Sequence, residues 1–472
     1  MQIADVKKIL VNIVGEENVS DEYFERICYS RGWSAEEPFP PLMIVKPQSK
    51  EQICEIVRIA SRFRLPISVY GGNSELVGSH ARWSIALDIT GLKGITNLDE
   101  QSMTVTALAG TTWEELLYEL HRRGWTTGPR LHSAPSATLG GSVALCSNGP
   151  NGAKYGLVGH QVIGLEVILP SGEIVKTGSA AHRCCKQFVR YAWGSDLTGL
   201  FIGSHGIFGI ITEVTLNIYP LPEAEVVVGY EYESIESAVK ALYEIQRRRR
   251  PIEMVRVQVP ETIELSWPGV NGKSALLPLV ITGTREEVEI WKRQIAQLCL
   301  KEGREITNAE IVEKAIDYWK NFSYSAPDYR KWAKEWEGCS MQIALCNAIP
   351  TLEFPKVYHA FHNLCQKEEI DKYKIKVYCG AFTSLPNGLN ATGCIIYDER
   401  EISSWVKAKE LARKATVLLT EMGHTPQYMG RLKSIPEVIS GLGSYMELMK
   451  ALKKTIDPNN ILNPGQFLIP EY

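Results

Sequence analysis

The sequence predicts an α+β protein of two domains and a short C-terminal segment. At 472 residues the chain is longer than a single hydrophobic core usually serves. Strands and helices alternate closely from residue 43 to residue 222, and longer amphipathic helices separated by strand-like segments follow up to residue 400. This second pattern is typical of helices packed on an antiparallel sheet. Because Pro220 and Pro222 end the first unit, we expect domains at 1–222 and 223–422 and a final segment at 423–472.

The first domain is predicted from short apolar runs joined by helix-start signals. An apolar run at 42–46 indicates a strand, and a capping box at Ser49 begins a helix with apolar residues at helical spacing. A second strand leads into a glycine pair at 71–72. A strand at 104–107 precedes a capping box at Thr111 and another helix; a hairpin with its turn at 170–172 and a last strand at 210–218 complete the domain.

The second domain is predicted from longer elements. Amphipathic segments at 235–248 and 285–301 indicate helices, and strand-like segments occur at 276–282, 341–347 and 394–397. A helix is expected at 401–422 and a last one at 444–454. Together these elements predict an α+β domain with an antiparallel sheet.

Composition and charge exclude several classes of protein. The net charge is −3, with 51 Lys and Arg against 54 Asp and Glu, so neither nucleic acid nor a charged membrane surface is implied as a partner. No apolar run approaches the roughly 18 residues of a membrane span, and the N-terminus lacks the order of a signal peptide. We therefore expect a cytoplasmic protein with no membrane span.

The eleven cysteines indicate neither a metal site nor a disulfide framework. No Cys-x-x-Cys occurs, the count is odd, and Cys184 and Cys185 are adjacent. A zinc ribbon or an iron–sulfur cluster of this chain's own is therefore not expected. Reduced thiols, mostly buried, are the expected state.

Three glycine-rich segments in the first domain indicate a ligand that carries phosphate. Gly71 and Gly72 follow a buried apolar run, and further glycines occur within 135–142 and 202–212. Glycine lets the backbone approach an anion closely, so three such loops suit an extended dinucleotide. The Gly-x-Gly-x-x-Gly pattern of a nicotinamide-binding fold is absent, which counts against an NAD domain.

The order of these segments resembles the flavoprotein family of vanillyl-alcohol oxidase and p-cresol methylhydroxylase, and is most similar to the branch with the glycolate oxidase FAD subunit, D-lactate dehydrogenases and alkyl-dihydroxyacetonephosphate synthase. The resemblance covers residues 40–467. It implies a two-subdomain FAD-binding domain of the p-cresol-methylhydroxylase type (PCMH-type) and an α+β cap domain. The matching motifs are Val45-Lys-Pro47, Gly71-Gly72, Thr138-Leu-Gly-Gly141, Lys154-Tyr-Gly156, Gly164 to Glu173, Asp196 to Ser204, and Ile456 to Gly465.

The resemblance also implies roles for individual residues in FAD binding. The loop at 70–74 would bind the pyrophosphate, the loop at 135–141 would line the flavin, the 206–211 segment would hold the adenine side, and Asn463 would return to the flavin ring. The cofactor-binding residues expected on this basis are Tyr70, Gly71, Gly72, Asn73, Ser74, Pro135, Ser136, Thr138, Gly140, Gly141, Tyr155, Gly206, Ile207, Ile211 and Asn463.

The chain departs from the family's motifs where metal and flavin attachment are concerned. Thr392 and Gln427 stand where the hydroxyacid branch carries metal-binding histidines, and neither side chain replaces an imidazole well as a ligand, so we expect no catalytic metal. Asn73 occupies the position at which related enzymes often attach the flavin through a histidine, which favours non-covalent FAD. His205 replaces the glutamate of a third motif.

Catalytic residues are expected in the loop at 424–433. Hydride transfer to a flavin needs a group that accepts the substrate's acidic proton and usually a cation that fixes a carboxylate. Arg431 could clamp a carboxylate, Tyr428 could accept a proton or bind a phenolate-like oxygen, and His424 and Lys433 lie beside them. A surface loop with solvated cations is the alternative. His205 is a second candidate because its neighbours bind cofactor in the family, and a hydrogen-bonded structural imidazole is its alternative. Tyr378 and Cys379 are expected to line the pocket, and an aromatic-rich stretch at 318–336 would be either core or a cap over the substrate.

The expected function is an FAD-dependent dehydrogenase that transfers a hydride from a 2-hydroxyacid or similar alcohol to the flavin and passes the electrons to a partner acceptor. The missing histidines leave open the metal-independent oxidation of an aromatic alcohol or alkylphenol. A third hypothesis is that the protein is a flavin-carrying electron-transfer subunit that works with an iron–sulfur or electron-transfer-flavoprotein partner. A small-molecule substrate is expected; homo-oligomerisation is left open.

Overall fold

A computed structural model describes residues 3–30, 39–74, 83–131, 133–248, 252–259, 275–314, 316, 340–426 and 435–466. Its helices are α1 (Ile3–Val14), α2 (Tyr23–Cys28), α3 (Lys50–Phe63), α4 (Trp113–His121), α5 (Leu139–Leu145), α6 (Gly152–Tyr155), α7 (Val158–Gln161), α8 (Leu197–Phe201), α9 (Ile235–Arg247), α10 (Arg285–Cys299), α11 (Phe354–Lys367), α12 (Ile402–Glu421), α13 (Pro436–Ser440) and α14 (Ser444–Ile456). Its strands are β1 (Val19–Ser20), β2 (Met43–Val45), β3 (Ile67–Tyr70), β4 (Ile85–Asp88), β5 (Ile95–Asp99), β6 (Thr104–Leu108), β7 (Trp125–Thr126), β8 (Val162–Ile168), β9 (Ile174–Lys176), β10 (Ile210–Asn217), β11 (Tyr219–Pro220), β12 (Ala224–Tyr232), β13 (Met254–Val257), β14 (Ala275–Gly283), β15 (Arg304–Glu305), β16 (Ser340–Pro350), β17 (Lys376–Leu385), β18 (Gly388–Tyr397) and β19 (Thr425–Pro426).

Two sheets form the first domain and share one hydrophobic core. The smaller has the order β1-β2-β4-β3, with β4 parallel to both β2 and β3, and the larger has the order β5-β6-β10-β8-β9 with antiparallel pairs. Val45 and Leu87 of the first sheet belong to the same buried cluster as Val105 and Val167 of the second. The expected α+β class and the two-subdomain arrangement are therefore confirmed.

Helix starts follow the expected capping chemistry, with one shift. Ser49 accepts a hydrogen bond from the Gln52 backbone and begins α3. The box expected at Thr111 lies one residue later, because Thr112 and Glu115 cap α4 reciprocally. Thr111 is used elsewhere: its hydroxyl accepts a hydrogen bond from Gly94 N at 2.9 Å. The shift shows that a tertiary contact decided between two adjacent threonines.

The second domain is built on one large sheet of order β15-β12-β14-β13-β17-β18-β16-β19. The pairings within it are antiparallel, and α9, α10, α11 and α12 pack on it. The register places Val257, Ala381 and Ala391 opposite one another, and all three belong to the core beneath the helices. Since side chains alternate along a strand, Arg256, Phe382 and Asn390 share the other face.

The C-terminal segment packs on the first domain. Leu462 forms a parallel bridge with Ile67, and Asn463 N donates to Ile67 O at 2.8 Å. Ile461 and Leu462 are buried in the core of the first domain. Residues far apart in sequence therefore complete one folded unit.

The described cysteines are free thiols, but fewer are buried than expected. Cys54, Cys299, Cys365 and Cys379 are buried, whereas Cys28 and Cys184 are exposed. Within the described ranges, no helix combines the length and apolarity needed to cross a membrane.

Candidate functional site

Two of the glycine-rich loops lie against each other at the end of β3. A Cβ atom at Gly72 would stand 1.6 Å from the carbonyl oxygen of Ser136, and one at Gly71 would stand 2.3 Å from the Thr138 hydroxyl. No real Cβ atom approaches other atoms so closely, so glycine is required at Gly72 by a backbone contact and at Gly71 by the Thr138 side chain. The loops at 70–74 and 135–141, both expected to bind the cofactor, are therefore in contact.

The first of these loops offers a row of backbone donors. Among the described residues, no acceptor receives a hydrogen bond from the N–H groups of Gly71, Gly72, Asn73 or Ser74. Asn73 has φ 44°, a left-handed conformation that turns successive N–H groups toward one point. Four consecutive donors that bond to no described residue, on a partly exposed loop, fit an anion such as the pyrophosphate of a dinucleotide.

The second loop presents an exposed turn above a fixed base. Pro135 and Ser136 are exposed, whereas Thr138 and Gly140 are buried. Thr138 begins α5 by accepting from Gly141 N at 3.4 Å, and Gly140 N donates to Ala109 O at 2.8 Å. The N–H groups that start α5 are therefore committed to the protein, and the exposed turn is the part left to line a ligand.

Tyr70 supports the donor loop from below. Its hydroxyl donates to Tyr29 O at 2.7 Å, the two rings meet edge to face at 5.0 Å, and burial raises the pKa of Tyr70 above its usual range. Its backbone carbonyl accepts from Ile89 N. The side chain of Tyr70 thus belongs to the interior, and its expected contact with the cofactor stays a prediction.

Asn463 joins the donor loop to the third glycine-rich segment. Its Oδ1 accepts from Val69 N at 2.9 Å and its Nδ2 donates to His205 O at 2.9 Å. Gly206 has φ +70°, and a Cβ atom there would stand 2.4 Å from Asn463 Nδ2. Both ends of the Asn463 amide are therefore engaged with backbone, and its described contacts assemble the site.

The third segment is held by a buried lysine. Lys453 Nζ donates to Ile207 O and Leu462 O, both at 2.8 Å, and to Asp457 at 2.6 Å. Burial lowers the pKa of Lys453 even though Asp457 opposes that shift. The side chains of Ile207 and Ile211 lie in the hydrophobic core, so these two residues place the segment through packing.

Tyr155 lies where the first domain meets the second. Only 7% of it is exposed, its ring lies 5.0 Å from that of Tyr219, and a Cβ atom at Gly128 would stand 2.3 Å from it. Burial raises the pKa of Tyr155 above its usual range. Its described contacts are with protein, and its expected contact with the cofactor stays a prediction.

The loop expected to carry catalysis is described only at its start. Tyr428, Arg431 and Lys433 lie outside the described residues, as do Gln427 and the aromatic stretch at 318–336.

His424 itself is 5% exposed, and no described residue bonds to either ring nitrogen. Its backbone N–H donates to Leu419 O at the end of α12. Burial lowers the pKa of His424, so the imidazole is neutral near pH 7. The catalytic roles expected for this loop stay predictions.

The large sheet carries polar residues that the sequence analysis missed. Arg256, Asn390 and Thr392 lie on the face opposite the core beneath α9 to α12, and Tyr378 shares that face. Cys379, which was expected to accompany Tyr378 in the pocket, instead lies in the core on the opposite face, because adjacent strand residues alternate. The sequence signal for this face is the alternation of Arg256 and Gln258 with the valines at 255–259. Such alternation indicates a strand with one apolar face and one polar face that borders a hydrated cleft.

Among the described residues, no group of three or more His, Cys, Asp or Glu could hold a metal ion. Thr392, at the position of a family histidine, pairs with Cys346 and Gly380 across the sheet. Its hydroxyl is buried, and no described residue forms a hydrogen bond with it.

Comparisons with known proteins agree with this geometry. Residues 41–178 match an FAD binding domain, and residues 443–467 match the C-terminal domain of FAD linked oxidases. The chain is 27% identical over 488 residues to the mitochondrial D-lactate dehydrogenase [cytochrome] of Arabidopsis thaliana, covering 99% of this chain and 80% of the relative. It is 26% identical over 483 residues to glycolate oxidase subunit GlcD of Bacillus subtilis, covering 98% and 96%.

A solved structure shows the same fold. The structure of p-cresol methylhydroxylase with substrate bound superposes with a TM-score of 0.83 at 17% identity, covering 99% of this chain and 97% of that one. The matched FAD binding domain contains the loops at 70–74 and 135–141. The matched C-terminal domain contains Asn463. The four N–H groups after β3, which bond to no described residue, fit FAD. The chain thus carries an FAD binding domain and the C-terminal domain of FAD linked oxidases in a PCMH-type fold, and its cofactor is FAD.

Proposed function

We propose that the protein is an FAD-dependent dehydrogenase that acts on a CH–OH donor, a 2-hydroxyacid, and passes the electrons to a separate acceptor. The observation that carries the proposal is a set of polar residues on the face of the large sheet opposite the core, where Arg256 and Asn390 flank Phe382. Two of its relatives are named for lactate and glycolate, which are both 2-hydroxyacids. A carboxylate substrate needs a cation, and Arg256 is a partly buried cation on this face.

Arg256 is suited to hold the carboxylate. It is partly buried on β13, between valines that belong to the core. A planar guanidinium binds a carboxylate through two parallel hydrogen bonds, and these are stronger where water is partly excluded. Asn390, fully buried on the same face, can orient the substrate by donating from its amide group. The carboxylate and the reacting carbon would then have one orientation.

The reaction also needs a base for the hydroxyl proton. FAD, when bound, accepts the hydride. We assign the proton to the loop at 424–433, with the phenolate form of Tyr428 as the group that accepts it and Arg431 as a second cation for the carboxylate. His424 begins this loop, and burial lowers its pKa, so its imidazole stays neutral. This arrangement uses no metal, consistent with Thr392 at the position of a family histidine.

The proposal is tested by mixing the holoenzyme anaerobically with a panel of substrates and following the loss of flavin absorbance. Lactate and glycolate should reduce the flavin, whereas p-cresol and 4-ethylphenol should leave it oxidised. The opposite result would establish the second candidate function, oxidation of an alkylphenol. Reduction by neither class, together with an iron–sulfur chain that copurifies, would favour an electron-transfer subunit.

Arg256→Met sharpens the test. Loss of a charge-paired anchor costs about 2–5 kcal/mol, so kcat/KM for the hydroxyacid should fall at least about 30-fold. Arg400→Met is the matched control, because Arg400 lies on an exposed turn and pairs with Asp398 at 2.6 Å. An Arg256→Met enzyme as active as the control would remove Arg256 from the proposal.

The absence of a metal from the scheme is tested separately by dialysis of the enzyme against a chelator. We expect the activity to survive, and loss of activity would contradict the metal-free scheme.

A further inference from the structure

One ion pair crosses between the two domains in a largely buried setting. Lys154 of α6 lies 3.1 Å from Glu253, the residue that precedes β13. The Glu253 side chain is 2% exposed and that of Lys154 is 28% exposed. The helix α6 also packs on β13 and β17 of the large sheet. The pair therefore lies at the contact between the FAD-binding domain and the sheet that carries Arg256.

Further hydrogen bonds complete the carboxylate's surroundings. Glu253 Oε1 accepts from Asn151 Nδ2 at 3.3 Å, and Oε2 accepts from the Thr282 hydroxyl at 2.9 Å. Lys154 Nζ donates to the same hydroxyl at 2.9 Å. Two partners of the carboxylate come from the first domain and one from the second, so the network holds the domains in a single relative position.

The network continues to the cofactor loops. Asn151 is fully buried, and its Oδ1 accepts from Arg130 N at 2.7 Å. Arg130 precedes the exposed turn at 135–136 by a few residues. On the other side, Glu253 lies three residues before Arg256, about 10 Å along an extended strand. The Asn151 side chain thus connects Arg130, in the segment that leads to the flavin-lining loop, with Glu253, which precedes the strand that bears Arg256.

A buried ion pair is a weak source of stability, because desolvation of the two charges offsets much of their attraction. Such pairs are better suited to fix a geometry. The first domain holds a comparable pair that does not cross a boundary: Lys50 lies 3.1 Å from Glu166, whose side chain is also 2% exposed. Variants of the two pairs can therefore be compared to separate an effect on the relative position of the domains from an effect on stability.

We propose that Lys154 and Glu253 form a latch between the domains that positions Arg256 above the flavin loops. Both are positioning residues, since they act through Arg256. The kinetic part of this inference rests on the proposed hydroxyacid dehydrogenase function. The structural part, the attachment of β13 to α6, stands without it.

The test compares Lys154→Met with Lys50→Met in the full-length holoenzyme. A displacement of about 1 Å at a reacting centre can cost about 100-fold in rate. Lys154→Met should lower kcat/KM for the hydroxyacid at least tenfold while the Kd for FAD changes less than threefold. Lys154→Arg should restore most of the loss, and Lys50→Met should leave the kinetics unchanged.

Hydrogen–deuterium exchange gives a readout without substrate. Lys154→Met should speed amide exchange at 252–259, and Lys50→Met should not. If Lys154→Met matches Lys50→Met in both exchange and kinetics, the latch is refuted. If the wild-type enzyme oxidises no hydroxyacid, the proposed function fails, and faster exchange at 252–259 in Lys154→Met alone would still support the latch.

Discussion

Replacement of Gly72 by alanine should remove FAD binding while leaving the fold intact. The added Cβ atom would lie 1.6 Å from Ser136 O, a backbone atom that cannot rotate away. An ordinary contact needs about 3.5 Å, so the loops at 70–74 and 135–141 must separate by about 2 Å. These loops supply the free N–H groups and the exposed turn of the cofactor site.

The expected magnitude follows from that separation. Overpacking of this kind costs about 1–3 kcal/mol within the protein, and hydrogen bonds to an anion weaken steeply with distance. We expect the Kd for FAD to rise at least about 100-fold, or about 2.7 kcal/mol. Titration of the apoprotein with FAD, followed by flavin fluorescence, measures this directly.

Gly441→Ala provides the matched control. Gly441 has φ −75°, and the nearest atom to an added Cβ would be Val438 O at 3.6 Å, an ordinary contact. This variant should bind FAD as the wild type does. If the Kd of Gly72→Ala for FAD were within threefold of that of Gly441→Ala, the contact between the two loops could not be what shapes the site.

Three further predictions follow from other parts of the site. Lys453→Met should lower the unfolding midpoint by about 4 °C in thermal denaturation, because a buried carboxylate, that of Asp457, loses its cation; an unchanged midpoint would contradict the buried pair. The folded protein holds His424 neutral below the pH of about 6.5 at which an unfolded histidine gains its proton, so stability should fall as pH drops from 7 to 5. His424→Phe should flatten that dependence and His359→Phe, on an exposed site, should not; equal slopes in both would be evidence against the buried imidazole. Acid precipitation should release the flavin into solution, since Asn73 replaces the histidine that could attach it, and flavin retained on the polypeptide would show covalent attachment.

The cofactor loops could be predicted from the sequence because their requirement is local. Gly71 and Gly72 follow an apolar strand, and glycine at such a point has few reasons to occur other than a close backbone approach. The helix starts were predictable for the same reason. The local pattern did not distinguish Thr111 from Thr112 as the residue that caps α4. Which of two neighbouring threonines caps a helix depends on Gly94, which the local pattern does not reveal.

The assembly of the site could not be predicted in the same way. Asn463 was expected at the flavin, but its amide bridges Val69, 394 residues earlier, and His205. Arg256 and Asn390 share a face only through the register of β13, β17 and β18, which no short-range signal specifies. Alternation within β13 was visible in the sequence, and it would have drawn attention to Arg256.

The bond between Asn463 and Val69 has a consequence for biosynthesis. Val69 leaves the ribosome long before Asn463 does, so the cofactor loop beside it lacks its last support until the whole second domain has been made. Closure of such a long loop is slow and entropically costly, which delays assembly of the site to the end of folding. FAD therefore meets a complete binding site only on a finished chain, and a nascent chain that stalls within the second domain carries no competent flavin.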